Sequence, residues 1–233
     1  MKIQESAIQF IKKNKRLLIK TFANEKIFKP ALRPMSLFMA GSPGAGKTEY
    51  SKAIIKFFNY PIVCIDADDI RNIIPQYDKT NAYQVQRAAA LGVDILHSHA
   101  LKKKLHFILD ATFANYKISS VNVKRSLQKA REVTVFYVYQ DPFIAWEFTK
   151  EREKLEGRHV PKKVFIDAVF NAKVNIKRIK QEFGKQVIVF MVRKDYRNNT
   201  EQQWGDVTRQ EIDKYIKIPY TKTELAKSLP IVI

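Results

Sequence analysis

The segment Gly41–Thr48, Gly-Ser-Pro-Gly-Ala-Gly-Lys-Thr, constrains this 233-residue chain more than any other part of the sequence. It matches Gly-x-x-x-x-Gly-Lys-Thr, the pattern of a phosphate-binding loop between a strand and a helix. Glycines let such a loop turn successive backbone N–H groups towards a phosphate, and the following helix adds its positive dipole end. An apolar run at 36–40 precedes the loop, and a helical pattern begins at Lys47. We therefore predict a nucleotide phosphate site formed by Gly41, Ser42, Pro43, Gly44, Ala45, Gly46, Lys47 and Thr48.

Short apolar runs alternate with helical patterns along most of the chain. These runs are rich in Val, Ile and Phe, which favours strands buried on both faces. Strands that alternate with helices form parallel sheets covered by helices. The predicted fold is α/β, a P-loop NTPase-type doubly wound parallel sheet of about five strands with helices on both faces. The predicted strands are 36–40, 61–65, 106–109, 133–139 and 186–192.

The chain divides into three predicted parts. Residues 1–34 form an N-terminal amphipathic helix, with apolar positions separated by lysines over 5–23, and a connector marked by prolines. We expect this helix to pack on the main domain rather than on a membrane surface. Residues 35–194 form the core, with a lid near 150–162. Residues 195–233 are a polar C-terminal appendage.

The net charge of +19 is the unusual bulk property. A strongly basic surface attracts polyanions such as nucleotides, nucleic acid or anionic membranes, although lysines spread along a chain also serve solubility alone. No apolar run approaches the roughly 20 residues of a membrane span. The N-terminus lacks the pattern of a signal peptide, and Cys64 is a single cysteine in an apolar run. These features predict a cytoplasmic protein without a membrane span.

Carboxylates follow three of the predicted strands, at Asp66 and Asp68, at Asp110, and at Asp141, which we expect to cap a helix. Ligands of doubly wound sheets bind beyond the carboxyl ends of the strands, and residues two apart on extended backbone share a face. We expect Asp66 and the Thr48 hydroxyl to hold Mg²⁺, and Asp68 to take a proton from an acceptor hydroxyl. The alternative is that the first two only cap a helix. Asp110 fits a metal-side carboxylate, a substrate contact or a turn residue.

Two arginines follow the fourth predicted strand, with Arg152 and Arg158 on either side of Gly157. Guanidinium groups present a planar fork to phosphate oxygens and stay charged. We expect a mobile loop that brings both arginines to the charge that develops during phosphoryl transfer. Ion pairing of Arg152 with neighbouring glutamates is the alternative.

Taken together, these motifs resemble the zeta toxin family of P-loop kinases, from about Ser36 to about Val192. The phosphate loop, Ile65-Asp-Ala-Asp68 and Leu109-Asp110-Ala-Thr112 resemble family motifs, with Asp and Ala in the last where the family has Glu and Gly. The resemblance implies that Asp68 is the catalytic base and that Lys47, Arg152 and Arg158 act with it. It further implies acceptor contacts by Asp94, Asp110 and Thr112.

The resemblance also implies a reaction. Family members transfer the γ-phosphate of ATP or GTP, with Mg²⁺, to a hydroxyl of UDP-N-acetylglucosamine or a related UDP-amino sugar. Many are held inactive by a small helical antitoxin that blocks the nucleotide site. The alternatives that the basic charge leaves open are a polynucleotide 5′-hydroxyl kinase and a nucleotide-dependent nucleic-acid-binding module.

Overall fold

The computed structural model describes residues 2–157 and 159–230. In that part of the chain, six strands form one sheet in the order β2-β3-β1-β4-β5-β6. The first five strands along the chain are parallel, and the sixth is antiparallel to the fifth. This confirms the predicted α/β fold and its five parallel strands. The strands are β1 Met35–Ala40, β2 Val63–Ile65, β3 Phe107–Leu109, β4 Glu132–Tyr139, β5 Val187–Asp195 and β6 Thr200–Trp204.

Ten α-helices are assigned within the described residues. The two longest, α5 and α8, have 21 and 22 residues. Neither these helices nor the shorter ones in residues 2–157 and 159–230 have the length and hydropathy of a transmembrane segment. The helices are α1 Ile3–Lys13, α2 Lys15–Phe22, α3 Lys47–Phe57, α4 Ala67–Asn72, α5 Ala82–Lys102, α6 Tyr116–Leu127, α7 Pro142–Glu156, α8 Lys162–Phe183, α9 Arg209–Tyr215 and α10 Lys222–Ser228.

Side chains of the central strand β1 enter two different apolar clusters. Phe38 and Ala40 pack in the larger cluster with α1, α5 and α8, whereas Leu37 and Met39 pack in the cluster that contains Ile54 of α3. Successive side chains of a strand point to opposite faces of the sheet. Helices therefore cover β1 on both faces, and its carboxyl end is left for the phosphate loop.

The N-terminal segment folds as two helices rather than the single helix that the sequence predicts. The break falls at Asn14, whose side-chain amide donates to the carbonyl oxygen of Phe10 at 2.9 Å. Ala7, Ile11 and Leu18 are fully buried, and both helices pack against α5. The apolar face of this segment is thus part of the main core.

The C-terminal segment joins both the sheet and the helices. The expected boundary at residue 194 falls inside the hairpin of β5 and β6. Beyond it, α10 packs on α7 and α8 through Leu225 and Leu229. The indole Nε1 of Trp146 donates to the carbonyl oxygen of Pro230 at 3.1 Å. Both ends of the predicted lid are therefore fixed to the C-terminal segment.

A buried arginine joins three strands at their amino ends. Arg131, 4% exposed, donates to the Ser36 hydroxyl at 2.7 Å and to the carbonyl oxygens of Met35 and Leu105 at 2.7 and 2.5 Å. Its guanidinium also lies 4.9 Å from the centroid of the Phe107 ring. Burial lowers the pKa of Arg131 to about 10, so the group is still charged at neutral pH.

Arg131→Met should destabilise the fold strongly. The substitution leaves two buried carbonyl oxygens without their donor, which costs about 3 kcal/mol in the free energy of unfolding. Urea denaturation measures this, with Arg87→Met on the exposed face of α5 as a control that should change stability by less than about 0.5 kcal/mol. Equal effects of the two substitutions would contradict the role assigned to Arg131.

A second prediction concerns His97, which is 1% exposed and packs edge-on against Phe38 and Phe107. Burial, and then the neighbouring Arg125, lower the pKa of His97 to about 3 from its ordinary 6.5. The unfolded chain thus binds this proton more readily than the folded chain, so stability falls as pH drops below 6.5. His97→Met removes this pH-dependent contribution to the free energy of unfolding.

Between pH 7 and pH 4.5, the free energy of unfolding of the wild type should fall by about 2 kcal/mol more than that of His97→Met. Urea denaturation at a series of pH values measures the difference. Parallel stability curves for the two proteins would show that His97 is not the group responsible.

Candidate active site

A cavity of about 650 Å³ lies at the carboxyl ends of the parallel strands, where doubly wound sheets bind their ligands. One wall comes from the phosphate loop and the first turn of α3. Further lining residues come from α4, the loop after β3 and the start of α6. Helix α7 and the end of β5 close the remaining side.

The phosphate loop lies directly against the backbone of α7. A Cβ atom added at Gly44 would come within 1.9 Å of the Ala145 carbonyl oxygen, so only glycine fits there. Gly46 has φ +86° and precedes the first residue of α3, a left-handed conformation that glycine adopts without strain. The local sequence therefore forces the loop into the shape that a phosphate site requires.

The two polar side chains that end the motif make contacts within the site. The Lys47 ammonium donates to the carbonyl oxygen of Ser42 at 2.9 Å. The Thr48 hydroxyl donates to Oδ2 of Asp110 at 3.5 Å. Since β3 is the neighbour of β1 in the sheet, Asp110 lies beside the phosphate loop. Of the three roles open for Asp110, this placement favours a metal-side carboxylate.

Asp66 caps a helix, which is one of the two roles that the sequence left open for it, and it lies on the cavity wall. Its Oδ1 accepts from the backbone N–H of Asp68 at 2.8 Å and caps α4. Burial raises the pKa of Asp66 to about 6, and the carboxylates of Asp110 and Asp68 add to the rise. The site thus concentrates negative charge at one point on the cavity wall.

Asp68, the predicted base, lies on the cavity wall in the first turn of α4. Its Oδ1 accepts a charged hydrogen bond from Arg71, one helical turn further on. Its Oδ2 lies 3.9 Å from Nη2 of Arg152, the lid arginine on α7. The structure therefore brings Arg152 to Asp68, and the expected Arg158 lies outside the described residues.

The loop after β3 carries the predicted contact Thr112, which lines the cavity. The carbonyl oxygen of Thr112 accepts from the backbone N–H of Gly41 at 3.2 Å, which ties this loop to the phosphate loop. The next residue, Phe113, has φ +59°, and its carbonyl oxygen accepts from buried Asn175 of α8 at 2.8 Å. Strained backbone of this kind persists only where surrounding contacts fix it.

Asp94 is not brought to the cavity with the other predicted residues. It lies on α5 with its side chain 60% exposed and pairs with Nη1 of Arg125 at 2.7 Å. The residue of α5 that lines the cavity is Gln86. Asp94 follows it by eight residues, about 12 Å along the helix axis. Its placement therefore gives no support to an acceptor contact.

Several residues of the cavity wall escaped the sequence analysis. Lys194 is at the end of β5. Its Nζ would lie 2.9 Å from a Cβ atom added at Gly46, so its side chain crosses the phosphate loop. Phe148 and Tyr196 form an edge-on pair, with ring centroids 4.7 Å apart, beside it. Ligands bind beyond the carboxyl ends of the strands, and Lys194 and Tyr196 lie at that end of β5. The reasoning that identified the aspartates could therefore have identified these two residues as well.

Comparison with known proteins places this geometry in a family. The zeta toxin family model matches residues 20–201. Among solved structures, PezAT, a chromosomal toxin–antitoxin system of the human pathogen Streptococcus pneumoniae, matches with a TM-score of 0.66 and 15% identity, over 97% of this chain and 95% of that chain. AvrRxo1-ORF1:-ORF2 with ATP matches with a TM-score of 0.62 and 12% identity, over 92% of this chain and 71% of that chain.

At these identities the solved structures show a shared fold. Comparison with curated proteins gave no significant match. The family model extends over more than half of the chain and includes the phosphate loop, the aspartates and the lid helix. The chain belongs to the zeta toxin family.

Proposed function

We propose that this protein is a magnesium-dependent kinase that transfers the γ-phosphate of ATP or GTP to a hydroxyl of a UDP-amino sugar, such as UDP-N-acetylglucosamine. The observation that carries the proposal is the position of Asp68, on the wall of the same cavity as the phosphate loop. A carboxylate placed there serves a hydroxyl acceptor, because such an acceptor must lose a proton during transfer.

The donor nucleotide occupies the side of the cavity formed by the phosphate loop. Its β- and γ-phosphates contact the loop N–H groups and the Lys47 ammonium. Lys194 crosses the loop at Gly46, and the aromatic rings of Phe148 and Tyr196 lie on the same side of the cavity. The purine ring of the nucleotide therefore lies towards β5, away from the aspartates.

The residues on the cavity wall fit a magnesium ion. No three His, Cys, Asp or Glu side chains among residues 2–157 and 159–230 form a metal cluster by themselves. Mg²⁺ does not need one, since it binds through one or two carboxylates together with phosphates and water. Thr48 and Asp110 would hold it, with Asp66 in support. Burial raises the pKa of Asp66 most, and the neighbouring carboxylates of Asp110 and Asp68, whose negative charge a cation would offset, raise it further. Bound there, the ion would neutralise charge on the phosphates.

The acceptor occupies the side lined by α4, the loop after β3 and α6. Asp68 takes the proton of the acceptor hydroxyl while the oxygen of that hydroxyl bonds to the γ-phosphorus. The bond from that phosphorus to the bridging oxygen breaks, and the nucleoside diphosphate leaves. Arg152, 3.9 Å from Asp68, is placed to stabilise charge on the transferred group, and Arg158 is proposed to act with it. Thr112, in the loop after β3, contacts the acceptor.

An antitoxin partner is part of the proposal. Of the two solved structures, PezAT is named as a toxin–antitoxin system, and the other is named with two parts, AvrRxo1-ORF1 and -ORF2. The net charge of +19 favours an acidic partner, since opposite charges raise the rate of association.

Asp68→Asn should lower the rate of transfer from ATP to UDP-N-acetylglucosamine by about 100-fold or more, because the acceptor hydroxyl loses its base. ATP affinity should stay within about twofold, since Asp68 is not part of the phosphate loop. Mass spectrometry of the sugar nucleotide detects the added phosphoryl group. Asp69→Asn, one residue further along α4 and outside the cavity wall, is the matched control and should keep full activity.

Two outcomes would overturn the proposed function. One is full activity of Asp68→Asn. The other is a wild type that leaves UDP-N-acetylglucosamine unchanged but adds phosphate to the 5′-hydroxyl of an oligonucleotide.

A further inference from the structure

Arg71 is a buried charged side chain that the mechanism above does not use. It lies on α4, three residues after Asp68, and is only 7% exposed. An arginine this deep is seldom retained for stability, because removing its charge from water costs more than one ion pair returns. Its Nε also lacks a hydrogen-bond partner within the described part of the chain, which adds to that cost.

The guanidinium of Arg71 connects two residues of the cavity wall. Its Nη1 donates to Oδ1 of Asp68, and its Nη2 donates to Oε1 of Gln86. Gln86 is an exposed residue of α5, and all three residues line the same cavity. The contact therefore ties α4, which is only six residues long, to the 21-residue helix α5.

This connection decides which way the carboxylate of Asp68 faces. With Oδ1 held by Arg71, Oδ2 is the oxygen on the side of the lid, 3.9 Å from Arg152. That separation exceeds a hydrogen bond, so Arg71 makes the closer of these two contacts with Asp68. Loss of the Arg71 contact would release Oδ1 and loosen the orientation of the carboxylate.

We propose that Arg71 and Gln86 are positioning residues that hold the Asp68 carboxylate in the orientation that accepts the proton of the acceptor hydroxyl. Arg71 acts directly on Asp68, and Gln86 acts through Arg71. The inference rests on the proposed function, because it assigns the proton transfer to Asp68. Neither residue contacts the phosphate loop in this arrangement, so the donor nucleotide should bind without them.

The test is steady-state kinetics with ATP and UDP-N-acetylglucosamine. Arg71→Met should lower kcat by about 100-fold, the size of effect that misplacing a catalytic group produces, and leave the KM for ATP within about twofold. Gln86→Leu, an exposed position where folding is not at risk, should lower kcat by about tenfold. Gln86→Glu keeps an oxygen for Arg71 and should restore most of the activity, whereas the control Arg87→Met should match the wild type.

A double-mutant cycle separates positioning from a general loss of structure. If Arg71 acts through Asp68, adding Arg71→Met to Asp68→Asn should lower kcat no further than Asp68→Asn alone. Additive losses, or a KM for ATP that rises along with the loss of kcat, would overturn the inference.

The cycle is also measured on the slow hydrolysis of ATP to water, so that it does not depend on the choice of acceptor. Full activity of Asp68→Asn in both reactions would overturn the proposed function. An inactive Asp68→Asn beside fully active Arg71→Met and Gln86→Leu variants would overturn this inference alone.

Discussion

The close approach of the phosphate loop to the backbone of α7 is the constraint on which the rest of the site depends. Gly44 leaves no room for a side chain against the carbonyl oxygen of Ala145, and that same oxygen accepts a hydrogen bond from Thr149 at 2.8 Å. The helix that carries Arg152 is therefore fixed against the loop that would hold the phosphates. Arg152, further along α7, therefore extends to the cavity from a helix whose position is fixed.

Charge distribution follows from strand order. Because β3 lies between β1 and β2, the carboxylates that follow β3 and β2 collect on one side of the phosphate loop. Lys194, which ends β5, lies on the other side of that loop. A chain with a net charge of +19 thus has a negative recess at the point where phosphoryl transfer would occur. Arg152 already lies 3.9 Å from one of these carboxylates, and a bound cation would offset more of the charge.

Much of the fold could be predicted from the sequence, because buried parallel strands read as short apolar runs and the phosphate loop has a fixed spacing. The strand Thr200–Trp204 was missed because four of its five residues are exposed and polar, which leaves no periodic signal. At the site, residues 43–48 of the motif and Asp68 line the cavity. Asp94 does not, since a resemblance between sequences does not show which turn of α5 faces the cavity. Arg71 and Gln86 were not predicted as site residues, because their contact joins two helices and a single sequence does not show how these helices pack.

The packing of α10 against α7 and α8 restricts how the enzyme can close. Trp146 and Lys162, one on each of these helices, both donate to backbone carbonyl oxygens just after α10, those of Pro230 and Leu229. The two helices that flank the predicted lid are thereby tied to each other, so a lid between them would move as a short span and not as a separate domain. A span of that size has room for an arginine but little surface with which to recognise a bulky substrate. Residues on the wall formed by α4, α5 and α6 would then select the acceptor. A change of substrate within this family would require substitutions in those helices.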